Sequence, residues 1–181
     1  MKETHIKIIK EKLDRPIVLV GMMGAGKTYL GQQLAKALEL PFYDSDDEIE
    51  ARHQMSIKDI FAKHGQEKFR EFEYEDIEGL LSRSPHILST GGGAVVEDDT
   101  QTIMYEKGLM VWLNPSVKTI WEQVKDEIAH RPLIATSANP QKVIEDLLIE
   151  RSPRYACSDL QTNDETNNVE SLLKMTADYL S

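Results

Sequence analysis

Residues 21 to 28, "GMMGAGKT", match the spacing G-x-x-x-x-G-K-[ST] and follow directly on "RPIVLV", a short β-branched run. Glycine carries the largest backbone entropy cost of any residue and adds nothing to a core. Three glycines with a lysine and a threonine at the end of a buried strand therefore point to something bound there. Successive backbone N–H groups can wrap a phosphate only where no side chain intervenes, at Gly24 and Gly26. A helix starting on Lys27 adds partial positive charge at its N-terminus. Lys27 is placed to reach the β- and γ-phosphates, and the Thr28 hydroxyl to ligate magnesium. The alternative, a chance glycine turn with a surface lysine, does not account for the strand before and the helical pattern after. The stretch reads as an ATP-type phosphate cradle.

The group that receives the phosphoryl must be sought elsewhere in the chain. "PFYDSDDEIE" puts Asp44 at the end of a second apolar run and Asp46 two residues on. Asp44 suits support of magnesium opposite Thr28, and Asp46 suits acceptance of a hydroxyl proton ahead of the γ-phosphate. Helix capping competes as an explanation, and it suits Ser45 with Glu48, as a capping box, better than the two aspartates. In "GQEKFREFE", Arg70 stands beside Phe69 and could chelate a carboxylate, although an exposed pair with Glu67 or Glu73 would look the same. "STGGGAV" contains Gly91, Gly92 and Gly93, which permit close backbone approach to a small ligand; a surface turn rarely needs three. "HRPLIATSANP" has the polar, proline-containing look of a cover, in which Arg131 could swing onto phosphate. Arg151 and Arg154 end a later helix in "RSPRY", where a solvated surface role is the ordinary alternative.

These groups need a frame to hold them. Short, nearly continuous apolar runs at 16–20, 41–44, 86–89 and 109–113 have the pattern of strands buried on both faces. Helical periods alternate with them, carried by Leu30, Leu34, Ala37 and Leu38, then by Phe69, Phe72, Ile77, Leu80 and Leu81, then by Val117, Ile120, Trp121 and Val124. Strand–helix alternation implies a parallel sheet, on which ligands collect at the carboxyl ends of the strands. Asn114 with Pro115 and Asn139 with Pro140 mark two helix starts. Ile6, Ile9 and Leu13 give the opening segment an amphipathic helical face, a packing element rather than a chemical one.

At 181 residues the chain suits one domain, 1–181, with 1–14 as an N-terminal helical extension. The net charge of −10, from 31 acids against 21 bases, repels nucleic acid and anionic membranes, so an anionic ligand must be held by local cations. No apolar run suits a signal segment or a membrane span, and the single cysteine, Cys157, expected half-buried, excludes a disulfide framework. A cytoplasmic monomer with no nucleic-acid or membrane partner is expected.

With these pieces in order, the chain resembles the shikimate kinase family over roughly residues 15 to 180, through "GMMGAGKT", "DSDDEIE", "GQEKFRE", "STGGGA", "RPLI" and "ERSPRY". The resemblance implies ATP-dependent phosphorylation of the 3-hydroxyl of shikimate, a step of aromatic amino acid biosynthesis, with magnesium. It implies a three-layer α/β/α P-loop fold with a five-stranded parallel sheet, a helical substrate-binding region and a lid. On it, Gly24, Ala25, Gly26, Lys27, Thr28 and Tyr29 serve ATP, and Thr28 and Asp44 the metal. Asp46, Arg70, Gly91, Gly92, Gly93 and Arg151 hold the substrate, while Asp46, Lys27 and the lid residue Arg131 act in transfer. Val124 stands where relatives commonly carry an arginine that stacks on adenine, and the segment after Tyr155 is shorter and more polar than the family's last strand and adenine loop, so adenine is expected to be held loosely. A kinase for gluconate or a nucleoside monophosphate is the competing enzyme, and a nucleotide-binding regulator without catalysis the competing class.

Overall fold

In the computed structural model, which describes residues 2–130, 132–135 and 137–181, the apolar runs become β1 (Ile17–Val20), β2 (Phe42–Asp44), β3 (Ile87–Ser89) and β4 (Leu109–Trp112). Leu160–Gln161 adds a short fifth strand, β5, registered on β4 at Val111 and Trp112. All pair in parallel in the order β2-β3-β1-β4-β5. β1, β3 and β4 are buried along their whole length; β2 and β5 form the edges and are buried only in part, which corrects the expectation of two covered faces for 41–44.

Side chains alternate across a strand, and the alternation divides the core. Ile17, Leu19, Ile87, Leu109 and Val111 face α1 (Lys2–Lys12), α2 (Lys27–Leu38) and α9 (Val169–Leu180), meeting Ile9, Leu34 and Leu172. Val18, Val20, Leu88, Met110 and Trp112 face the other way. They meet Ile77 and Leu80 of α4 (Ile57–Leu81), Met104 of α5 (Asp98–Lys107), Ile120 and Val124 of α6 (Val117–Val124) and Tyr155 of α8 (Pro140–Tyr155). A third cluster, Ile49, Ile60 and Phe69, joins α3 (Ser45–His53) to α4, which kinks at Gly65 where φ is +80°. The short α7 (Pro132–Ala135) precedes α8. Among the described residues no helix is long and apolar enough to cross a membrane.

Three local expectations are corrected. Asn114 does not start α6; its N–H is tied to Thr162 Oγ1 at 3.1 Å, and Ser116 caps instead, accepting from Thr119 N. Ser45 does not cap α3, because Asp44 Oδ1 takes the Asp46 N–H at 3.1 Å and frees the serine for another partner. Cys157 is exposed rather than half-buried. The other marked start holds, with Asn139 accepting from Lys142 N and Pro140 opening α8.

Candidate active site

The chemistry-bearing residues gather beyond the carboxyl ends of β1, β2 and β3. Gly24 has φ +75° and Gly26 φ +90°, backbone that side chains disfavour. A Cβ on Gly24 would also meet Val124 Cγ1 at 2.4 Å. Gly26 ends the loop as the N-cap of α2 and supplies no side-chain cap, leaving that helix end to other partners. Lys27 is buried and its Nζ donates back to the Gly21 and Met22 carbonyls at 2.8 and 2.9 Å. Ala25 is buried, and Tyr29, at the first turn of α2, is exposed. The uncapped N-terminus, positive-φ glycines and curled lysine together fit a nucleotide phosphate chain.

Thr28 Oγ1 donates to Asp44 Oδ2 at 3.0 Å, so the hydroxyl and the carboxylate stand side by side across the mouth of the loop. Both offer oxygen, the donor type that magnesium prefers. Asp44 thus caps α3 with one oxygen and meets Thr28 with the other, and capping and metal support are compatible in one residue.

Asp46 opens α3 one residue after Ser45, whose Oγ accepts the Gly91 N–H at 3.1 Å. This bond pins the triple glycine against α3. A Cβ on Gly91 would stand 2.9 Å from Asp46 Oδ1 and 3.3 Å from Glu73 Oε1, and one on Gly93 would stand 2.7 Å from Arg70 Nη2. Gly92 O accepts from Arg151 Nη1 at 3.1 Å and from the Tyr155 hydroxyl at 2.6 Å. The glycines therefore bring Asp46, Arg70 and Arg151 around one turn of chain, where a side chain at Gly91 would press on Asp46 and one at Gly93 on Arg70, while one at Gly92 would press on the backbone of Met23 at 3.3 Å.

Burial, and then the Asp44 charge, push the Asp46 carboxyl up to about 6 against the pull of Lys27. Such a group is ionised at neutral pH yet basic enough to take a proton. Glu73, 1 % exposed, is pushed up to about 7 by burial, with the Arg70 guanidinium opposing and Asp46 and Glu97 adding to the rise. Burial likewise holds the Tyr155 hydroxyl up at about 12, so it stays a neutral donor to Gly92 O. Arg70 Nη1 donates to Glu73 Oε2 at 2.5 Å. The Nε of Arg70 and the Nε of Arg151 are both buried and make no hydrogen bond among the described residues. Two guanidiniums with an unmatched buried N–H beside the same glycine turn suit a carboxylate ligand.

A family model described as shikimate kinase matches residues 23–180. The chain belongs to the shikimate kinase family. A shikimate kinase of Cereibacter sphaeroides is 41% identical over 164 residues, 91% of this chain and 81% of that one, and one of Bradyrhizobium diazoefficiens is 43% identical over 146 residues, 81% of this chain and 70% of its own. Among solved structures, shikimate kinase from Acinetobacter baumannii in complex with shikimate superposes with a TM-score of 0.82 at 32% identity, covering 94% of this chain and 93% of that one. A gluconokinase from Sinorhizobium meliloti, at 15% identity and a TM-score of 0.55, shares the fold alone. The chain is accordingly a P-loop kinase that phosphorylates shikimate with ATP.

Against the shikimate kinase motifs, the placement is uneven. Lys27, Thr28, Asp44, Asp46, Arg70, Gly91, Gly92, Gly93 and Arg151 lie together, whereas Arg131 falls outside the described residues. Arg154 turns aside to Asp98 Oδ1 at 2.6 Å and to the backbone of Val95, a structural tie. Val124 is fully buried, filling the space under the loop glycine, so that position faces the core and not a base. The segment after β5 is ordered on the loop instead: Asn167 Nδ2 donates to Ala25 O at 3.0 Å and Thr162 Oγ1 to Asn167 Oδ1 at 3.1 Å.

Sequence reasoning missed Glu73, treating it as an exposed partner for Arg70. The signal was present, because Glu73 lies four residues from both Phe69 and Ile77 on the apolar stripe of α4, where a carboxylate must be buried. Tyr155 was equally readable, one helical turn beyond Arg151 on α8. Asn167 carried no signal, since its role depends on a contact across the fold.

Proposed function

We propose that Asp46 is the general base of shikimate phosphorylation at the 3-hydroxyl, and that Arg70 and Arg151 anchor the substrate carboxylate beside Gly91, Gly92 and Gly93. The observation that carries this reading is the convergence on the triple glycine of a carboxyl with a pKa of about 6 and two guanidiniums with unmatched buried N–H groups. Shikimate is a small ring bearing one carboxylate and several hydroxyls. Two cations at one end and one base at the other match it, and they also let an acidic protein hold an anion.

The backbone of Gly24, Ala25 and Gly26, with Lys27, Thr28 and Tyr29, would hold ATP, and Thr28 with Asp44 would hold magnesium. Bound there, ATP supplies the phosphoryl group and magnesium offsets its charge. Arg70 and Arg151 fix the ring so that the 3-hydroxyl faces Asp46, whose carboxylate takes the hydroxyl proton as the oxygen gains its new bond. Lys27, now donating to carbonyls of the loop after β1, has charge to offer the transferring group. Arg131 adds a second cation from the lid. The whole chain acts as one domain, as a cytoplasmic monomer, with α1 as a packing extension.

The test is ADP release in a coupled assay with shikimate, gluconate and nucleoside monophosphates offered separately at fixed magnesium. Release with shikimate alone is expected. Equal release with gluconate, or shikimate turnover that survives Asp46→Asn undiminished, would overturn the assignment of the site.

A further inference from the structure

Glu97 is a carboxylate that neither the fold nor the transfer step uses. It is the residue before α5, yet its side chain makes no capping hydrogen bond. Its Oε1 lies 3.8 Å from Arg70 Nε, the buried N–H that lacks a hydrogen bond, while Glu73 holds the same guanidinium through Nη1. Glu73 is 1 % exposed and holds Arg70 from within the fold; Glu97 is 45 % exposed and brings a second carboxylate to the Nε side of Arg70. A cleft of about 830 Å³ opens over this pair between α4 and α5. Of its charged lining, Arg70 is the cation, against Glu67, Glu71, Glu75, Glu97 and Asp99.

We propose that Glu97 is a displaceable counter-ion that sets the affinity of the site for its carboxylate substrate, engaging Arg70 Nε until the substrate carboxylate takes its place. The inference rests on the reading of Arg70 as a carboxylate anchor. Two anions compete for one N–H, so each molecule of substrate must push Glu97 aside into water. Because the exchange happens at the carboxylate and not at the reacting hydroxyl, it weakens the ground state and the transition state alike, which moves KM and leaves kcat largely alone. The phosphorylated product keeps the same carboxylate. Glu97 therefore weakens product and substrate alike, and kcat holds because release of this weakly held product is not the limiting step.

Calorimetric titration with shikimate and with its uncharged methyl ester tests this in wild type, Glu97→Gln, Glu71→Gln and Arg70→Ala. Glu71 lines the same cleft but pairs with Lys68, so Glu71→Gln changes the net charge equally without touching Arg70. Glu97→Gln is expected to tighten shikimate roughly 3- to 5-fold, the upper worth of a partly exposed ion pair. The ester should not respond, Glu71→Gln should shift shikimate less than about 2-fold, and the KM for shikimate should fall with Glu97→Gln while kcat holds. Unchanged affinity in Glu97→Gln, an equal gain for acid and ester, or an equal gain in Glu71→Gln overturns the proposal. If Arg70→Ala binds shikimate as tightly as wild type, the anchor reading fails and takes this proposal with it; if Arg70→Ala binds weakly but Glu97→Gln equals wild type, Glu97 alone is misread.

Discussion

Asp46→Asn is expected to make the protein more stable as it makes it less active. In the folded chain burial, then the Asp44 charge, raise the Asp46 carboxyl from 3.8 to about 6. A group whose folded pKa exceeds its unfolded value contributes stability that is fully present below the unfolded value and lost as pH rises through the folded one. The loss here develops between about pH 4 and pH 6. Roughly two pK units at about 1.4 kcal/mol each give ~3 kcal/mol once ionisation is complete. Asparagine keeps the shape without the charge, so the variant escapes that cost. For a chain of this length ~3 kcal/mol corresponds to roughly 6–12 °C in Tm. Melting ligand-free wild type and variant at pH 4 and pH 8 reads the effect directly: nearly equal Tm at pH 4, the variant higher at pH 8. Turnover with saturating shikimate should meanwhile drop by roughly 10² to 10⁴, the joint worth of a base and its orientation. A variant no more stable than wild type at pH 8, or a gap of the same size at both pH values, would refute the claim that the active-site carboxylate is held charged against its environment.

Three more outcomes are expected. Asp44→Asn should raise the magnesium needed for half-maximal rate and be rescued by excess magnesium, whereas Asp46→Asn should not; a magnesium titration of both variants shows whether the two aspartates differ in kind. Gly93→Ala, whose methyl would press to within 2.7 Å of Arg70 Nη2, should raise KM for shikimate by roughly tenfold while KM for ATP stays put, and steady-state kinetics in each substrate separates the two. With Val124 buried under the loop and no arginine there to stack on a base, GTP should support turnover within about tenfold of ATP at matched magnesium; a preference for ATP beyond about a hundredfold would mean that the segment ordered by Asn167 reads the base.

The sequence by itself determined the frame and most of the chemistry. Nearly continuous apolar runs separated by helical periods admit little besides a parallel sheet with crossovers, and the glycine–lysine–threonine spacing admits little besides a phosphate cradle, because both are local patterns whose cause lies within a few residues. What depends on contact between distant segments had to wait for the tertiary structure. Whether Asp44 or Ser45 caps α3 turned on Gly91, 46 residues from Ser45, which claims the serine hydroxyl and leaves the cap to the aspartate. Arg70 could be a surface cation or an anchor on sequence alone; it became a half-buried one because β3 ends in a turn without side chains, letting Gly93 and the guanidinium share the same space. Glu97 joined that site only because α5 begins next to α4 in space, and its effect on Arg70 is electrostatic, a through-space interaction that no spacing along the chain encodes. The position of Val124 was likewise decided by the core: a valine under a positive-φ glycine is a packing partner of the loop, whatever a residue at that place does in a relative.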